Sequence, residues 1–203
     1  MEQEPSPQQQ QPEPHELYEA EPQLNPRIWI ASWSDYNNGI LHGEWTDATQ
    51  TPEELHEAIN DMLAASPSDP HAEEWGIFDY EDFGGLKIGE QETTEAVSRL
   101  ANALRVAGPA FASWCHDLDD SECTLERFQE AYMGHWGSLQ AYAEEILSDL
   151  IGTELGDFRK ISGGLAQYIE LDFEGFARDL YLSGDIHYGE DPDGGVWIFD
   201  NRV

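Results

Sequence analysis

Apolar and polar positions change period along the chain, and the changes mark its elements. Between Arg27 and Asp47, two β-rich runs at 28–33 and 40–45 flank Ser34-Asp35-Tyr36-Asn37-Asn38-Gly39. Aromatic and β-branched runs around an Asn-Gly turn predict a β-hairpin, because Asn and Gly accept the positive φ of such turns. Thr51-Pro52-Glu53-Glu54 then opens a helix, with Thr51 as N-cap, Pro52 at the first helical position and Glu54 as the capping-box acid. Leu55, Ala58, Ile59 and Met62 recur at helical spacing and mark its core face, and Ser66-Pro67 ends it. Residues 73–79 read as a third strand that joins the hairpin, and 79–85 as an acidic loop or helical turn leaving the sheet.

The middle of the chain has helical period. Val97, Leu100, Ala101 and Leu104 share one face of a helix over 93–107, which Gly108-Pro109 stops. Phe111, Trp114, Cys115 and Leu118 repeat the pattern, and Leu125, Phe128 and Tyr132 define another short helix. These helices predict a small bundle. A helix over 138–150 follows, with Leu139, Tyr142, Ala143, Ile146 and Leu150 inward and Glu144, Glu145 and Asp149 outward. After an apolar turn at 165–169 comes a helix capped by Asp172, with Phe173, Phe176, Ala177 and Leu180 inward. Two strands, 185–190 and 196–200, close the chain as a hairpin around Asp191-Pro192-Asp193-Gly194-Gly195. The fold class is α+β: a small antiparallel sheet plus helix (27–90), a central helical bundle (91–137), and C-terminal helices with a β-hairpin (138–203).

Composition adds a separate regime at the start. Residues 1–26 carry a glutamine run, six prolines and six glutamates with no Lys or Arg, which predicts a disordered tail. The whole chain of 203 residues has 42 acids against 9 bases, a formal net charge of −33. Taking the tail away leaves −27 on residues 27–203. Seven Trp, eight Tyr and eight Phe argue against disorder throughout. A field of this sign repels DNA and anionic membranes, so sequence-independent binding to either is excluded and basic partners are favoured. Three readings of the charge compete: an ordinary acidic protein with solvated faces, a halophile adaptation, and a protein whose partner is a nucleic-acid-binding groove. The value far exceeds what solubility asks.

Candidate chemistry is sparse. His42-Gly43-Glu44, His56-Glu57 and His71 lack metal-ligand spacing, and the 191–195 turn lacks the twelve-residue calcium-loop pattern. There is no nucleophile elbow or phosphate loop. A non-enzyme without metal or cofactor is expected. Cys115 and Cys123 read as thiols ahead of a disulfide. No run reaches membrane-span length and no signal peptide is legible, so the cytoplasm is expected. Trp29, Trp33, Trp45 and Trp75 are expected in the core rather than on a base-stacking platform.

The acids themselves are the candidate site. Glu53, Glu57 and Asp61 stand at i, i+4 and i+8, an outward ridge with charges about 6 Å apart along the helix axis. Like charges so placed weaken a helix by a few tenths of a kcal/mol per pair, and stability alone would interleave bases. None occurs between Arg27 and Lys87. Asp47, Glu54, Glu73, Glu74, Asp79, Glu81 and Asp82 extend the set in the first part, and Asp117, Asp119, Asp120, Glu122, Glu126 and Glu130 in the middle. Any one of them can be a merely solvated carboxylate; the set carries the functional reading.

Several long motifs then point one way. IWIASWSDYNNGILHGEW (28–45), LAASP (63–67), AEEWGIFDYEDFGG (72–85), YAEEILSDL (142–150) and FARDLYLSGD (176–185) resemble, in this order, the ArdA-type antirestriction proteins. The likeness runs from about Arg27 to Asn201 and leaves out the tail. It implies an elongated three-part protein that dimerises through its C-terminal part. It implies mimicry of bent B-form DNA, occupation of the DNA groove of type I restriction–modification enzymes, and a block on cleavage and often on methylation. It also implies carriage on mobile genetic elements and action inside a bacterial host. The family's antirestriction motif falls on Tyr142, Glu144, Glu145, Leu147, Asp149 and Leu150, near the dimer seam.

Charge and likeness meet in one quantity. Duplex DNA carries a charge per roughly 1.7 Å of axis, so 27 charges match at most about 46 Å of duplex, and a dimer about 90 Å. The alternative from another class is an acidic regulatory or chaperone-like module that binds some other DNA-binding protein. A halophilic enzyme comes third.

Overall fold

A computed structural model describes residues 24–116, 118–119, 121–150 and 172–203. The expected tail up to residue 23, the acids Asp117 and Asp120, the apolar turn at 165–169 and the side chain of Leu150 lie outside these residues. The described elements run β1 (Arg27–Ser32), α1 (Trp33–Asn37), β2 (Gly43–Asp47), α2 (Pro52–Ala64), β3 (Trp75–Glu81), α3 (Thr94–Cys115), α4 (Leu125–Ala131), β4 (Tyr132–Trp136), α5 (Leu139–Leu150), α6 (Phe173–Leu182), β5 (Ile186–Glu190) and β6 (Val196–Asp200). The α+β class holds, with two antiparallel sheets of three strands each, ordered β2-β1-β3 and β4-β6-β5.

The first sheet departs from a simple hairpin. β1 and β2 do pair antiparallel, Arg27 opposite Asp47 and Ala31 opposite Gly43. The second strand therefore starts at Gly43, not at Ile40, and the connection contains α1. Ser32 caps that helix, its hydroxyl accepting from Asp35 N–H at 3.4 Å, and Asn38-Gly39 ends the helix rather than forming the hairpin turn. β3 adds to the other side of β1; it starts at Trp75 rather than Glu73 and runs past Asp79 through Tyr80 and Glu81, which the sequence places in a loop.

α2 has the capping box its sequence predicts. Thr51 Oγ1 accepts from Glu54 N–H at 3.3 Å, and Glu54 accepts from Thr51 N–H at 2.9 Å. Its apolar stripe, Leu55, Ile59, Met62 and Leu63, is buried with Ile28 and Ile30 of β1. α3 is bent where Gly108 takes φ 61 and ψ −155, a conformation that a side chain strains against, and Pro109 follows. The predicted stop therefore holds: two helical segments meet at Gly108 within the span 94–115.

One core joins both sheets. Ile28, Ile59, Ile77, Leu104, Phe111, Phe128, Tyr132, Trp197 and Phe199 belong to a single buried cluster. A second cluster, Tyr142, Ile186 and Ile198, lies on the other face of the second sheet. β6 is central in that sheet, and its Trp197, Ile198 and Phe199 are all buried because alternate residues feed opposite cores. The expected C-terminal hairpin, β5 with β6, is present, and β4 makes it a three-stranded sheet. Tyr132, placed on a helix by its spacing, instead begins β4. No described helix is long and apolar enough to cross a membrane.

Candidate functional site

The candidate acids of the first part fall on two surfaces. β1 lies between β2 and β3, so one row across the outer face of the sheet reads Asp47, Arg27, Glu81, and the next Trp45, Trp29, Asp79. The register shifts between Trp29 and Ile30, leaving Phe78 as an extra residue on β3. That bulge keeps Ile77 buried while turning both Asp79 and Glu81 to solvent. Arg27 Nη1 donates to Glu81 Oε1 at 3.1 Å, and its guanidinium lies 5.3 Å from the Trp45 ring centre. Trp29 meets Trp45 edge-on at 5.7 Å. None of Trp29, Trp33, Trp45 and Trp75 is fully buried. All four are half-buried, and Trp75 packs against the main core as expected, whereas Trp29 and Trp45 lie on the outer sheet face beside the acids.

The second surface is the outward face of α2. Glu53, Glu57 and Asp61 are exposed, as their spacing predicts, and with His56, Asn60 and Glu95 of α3 they line a shallow hollow of about 380 Å³. Among the described residues no ion pair reaches Glu53, Glu57 or Asp61. Thr94 Oγ1 lies 3.0 Å from His56 Nδ1 and locks α3 beside the ridge. Glu95 escaped the sequence reading because it sits in the first turn of a different helix. Glu54 does other work: hydrogen bonds from Thr51 N–H and then Thr51 Oγ1 hold its carboxyl below the usual range, outweighing desolvation. α2 covers the inner face of the sheet, so these carboxylates and those of Asp47, Asp79 and Glu81 face away from each other across two layers.

The remaining acids are dispersed. Glu73 and Glu74 are exposed just before β3, and Asp82, exposed with φ 60, directly follows it. Asp119 is exposed, Glu122 pairs with Arg127 at 2.9 Å, and Glu126 and Glu130 are exposed one turn apart on α4. On α5, Tyr142 is buried: its hydroxyl donates to Met133 Sδ at 3.2 Å and its ring meets Trp136 edge-on at 5.3 Å. Burial, then the Asp200 charge, push its phenol up, against a smaller opposing effect of Arg202. Tyr142 therefore anchors α5 to the second sheet. Glu144, which accepts from Gln140 at 2.8 Å, is half-buried, as is Leu147; Glu145 and Asp149 are exposed.

One carboxylate outside the candidate set is fully buried. Asp35 Oδ1 accepts from Ser66 Oγ at 2.9 Å, from Ser68 N–H at 3.0 Å and from Ser68 Oγ. Burial pushes its carboxyl up, but the Ser68 and Ser66 hydrogen bonds and the His42 charge together hold it below its ordinary value. The segments that carry the family likeness at 28–45 and 63–67 thus meet at Asp35.

Chemically, exposed carboxylates on fixed helix and strand faces accept charge-assisted hydrogen bonds from Lys and Arg. No group of metal-holding side chains occurs among the described residues. No curated protein matches the chain in sequence. A family model described as antirestriction protein (ArdA) matches residues 28–192, a stretch that takes in both carboxylate surfaces, α4 and α5. With the matched segment spanning most of the chain, the protein belongs to the ArdA antirestriction family.

Proposed function

We propose that the protein inhibits type I restriction–modification enzymes as a DNA decoy. It lays carboxylates where the enzyme's groove expects phosphates, and it blocks restriction together with modification. The observation that carries this reading is the α2 face, where Glu53, Glu57, Asp61 and Glu95 surround one hollow with no described base paired to the first three. Such a face costs helix stability, so its retention is accounted for by a cationic partner. Arg27, Arg127 and Arg202 are engaged with Glu81, Glu122 and Asp200, and Arg105 of α3 donates to Thr49 and Asn102, so none of these four pairs with the ridge. Asp47, Glu73, Glu74, Asp79, Asp82, Asp119, Glu126 and Glu130 extend the field over neighbouring surfaces. The decoy works as a homodimer joined through its C-terminal part, in the cytoplasm of a bacterial host, and is carried by mobile elements. It does not itself bind nucleic acid.

The test is displacement. Titrating the protein into a preformed complex of a type I methyltransferase with fluorescent duplex is expected to release the duplex in competition, with methylation falling in parallel. Duplex that stays bound at saturating protein overturns the decoy reading.

A further inference from the structure

The end of the first sheet holds a hollow of about 490 Å³ lined by Trp33, Trp75, Glu73, Glu74, Asn37 and Gln91. Its volume falls within the range of ligand pockets, and its lining is of three kinds, indoles, carboxylates and side-chain amides. The hollow is built rather than incidental. Trp33 N–H donates to Glu74 C=O at 3.1 Å, fixing the acidic pair against α1. Trp33 packs on Phe78 at 4.5 Å and edge-on to Tyr36 at 5.9 Å, which sets its ring. A Cβ on Gly76 would stand 2.8 Å from Trp33 Nε1, so glycine there lets the indole close over β3. Trp75 is registered opposite Ser32 on β1, and Ile77 N–H donates to Glu90 C=O at 2.9 Å, which brings the segment bearing Gln91 to the rim.

We infer that this hollow receives one arginine side chain of the basic partner, its guanidinium over the indoles and its N–H groups on Glu73 and Glu74. A planar guanidinium suits this lining better than an ammonium, because it stacks on an aromatic face while its fork meets a carboxylate. Asn37 and Gln91 supply amide oxygens for the remaining donors. Where the carboxylate ridge of α2 attracts at long range, this hollow supplies a short-range contact that charge alone does not. The inference rests on the decoy reading for the partner's identity, but not for the chemistry of the hollow.

Two experiments separate those levels. In the first, the full chain labelled with ¹⁵N is titrated with N-acetyl-arginine amide, and separately with N-acetyl-lysine amide, following the indole N–H signals. The expected result is saturable movement of Trp33 and Trp75 alone, stronger with the arginine compound, and weakened about tenfold in E73Q/E74Q, two exposed positions whose change leaves the fold intact. Movement spread over all indoles, equal response to lysine, or an unchanged E73Q/E74Q overturns the arginine site and leaves the decoy reading standing. In the second, E73Q/E74Q is compared with the charge-matched E126Q/E130Q as an inhibitor of the methyltransferase. A clearly larger loss in E73Q/E74Q is expected; equal losses overturn the site's part in partner recognition. If wild-type protein gives no inhibition while the arginine titration succeeds, the decoy reading fails and the guanidinium site survives it.

Discussion

At the scale of single residues, the carboxylates divide by what they touch. Asp35 is wholly enclosed and takes three hydrogen bonds from Ser66 and Ser68, whereas Glu53, Glu57 and Asp61 meet solvent. The former holds α1 to the segment after α2; the latter hold nothing in the fold. Asp35→Asn keeps the shape and loses the charge assistance, and Asp35→Ala leaves three donors without their acceptor. The urea midpoint at neutral pH is expected to fall in the order wild type, Asp35→Asn, Asp35→Ala. Because the folded carboxyl sits below its unfolded value of about 3.9, its stabilisation is complete above that pH and is lost as pH falls through the folded value. The gap between wild type and Asp35→Asn is therefore expected to close on acidification below about pH 4. Equal midpoints at neutral pH would remove Asp35 from the account of stability.

At the scale of elements, α2 sets stability against function. Neutralising Glu53, Glu57 and Asp61 together, to Gln, Gln and Asn, removes two like-charge pairs a turn apart and is expected to stabilise the helix by a few tenths of a kcal/mol for each. The same triple change is expected to weaken enzyme inhibition by an order of magnitude or more. Opposite signs in thermal melting and inhibition are the signature; parallel loss would mean the ridge is structural. Sequence reading located the start of this helix to the residue, because capping box, proline and apolar period agree, and its end to within two residues. It also located β6, a run of apolar residues closed by Asp200. It missed β4, since Tyr132-Met133-Gly134-His135-Trp136 has a glycine at its centre and a register shift, which leave no period-2 pattern to read. It misplaced the start of β2 because the turn residues 34–39 fit either a loop or a helix, and the long-range bonds from Ser66 and Ser68 to Asp35 add to the local Ser32 cap in favour of the helix. The candidate acids were legible as exposed positions, but their grouping was not. Glu95 joins the α2 ridge from another helix, and a bulge at Phe78 decides which way Asp79 and Glu81 point.

At the scale of the whole molecule, the charge makes a prediction about salt and target choice that no single residue makes. A decoy that substitutes carboxylates for phosphates gains affinity from the same lysines and arginines, yet its exposed acids are dispersed over several faces rather than spaced every roughly 1.7 Å along one axis, so it is expected to condense fewer counterions than a duplex. Its affinity for the enzyme should fall with rising salt, through screening of the −27 charge on residues 27–203, but less steeply than that of the enzyme for duplex. Raising salt from about 50 to 200 mM, a range over which DNA binding loses about 10³ to 10⁵ in affinity, is thus expected to shift the competition toward the protein. A carboxylate face also offers no base edges, so enzymes with unrelated recognition sequences should be inhibited alike. The measurement is a displacement titration at several salt concentrations against two type I enzymes of different specificity. Equal salt slopes for protein and duplex would point to a full polyelectrolyte match and overturn the shallower slope. Inhibition confined to one recognition sequence would require a specific contact that dominates the field, and the dispersal of acids over the sheet face, α2 and α4 speaks against any such single contact.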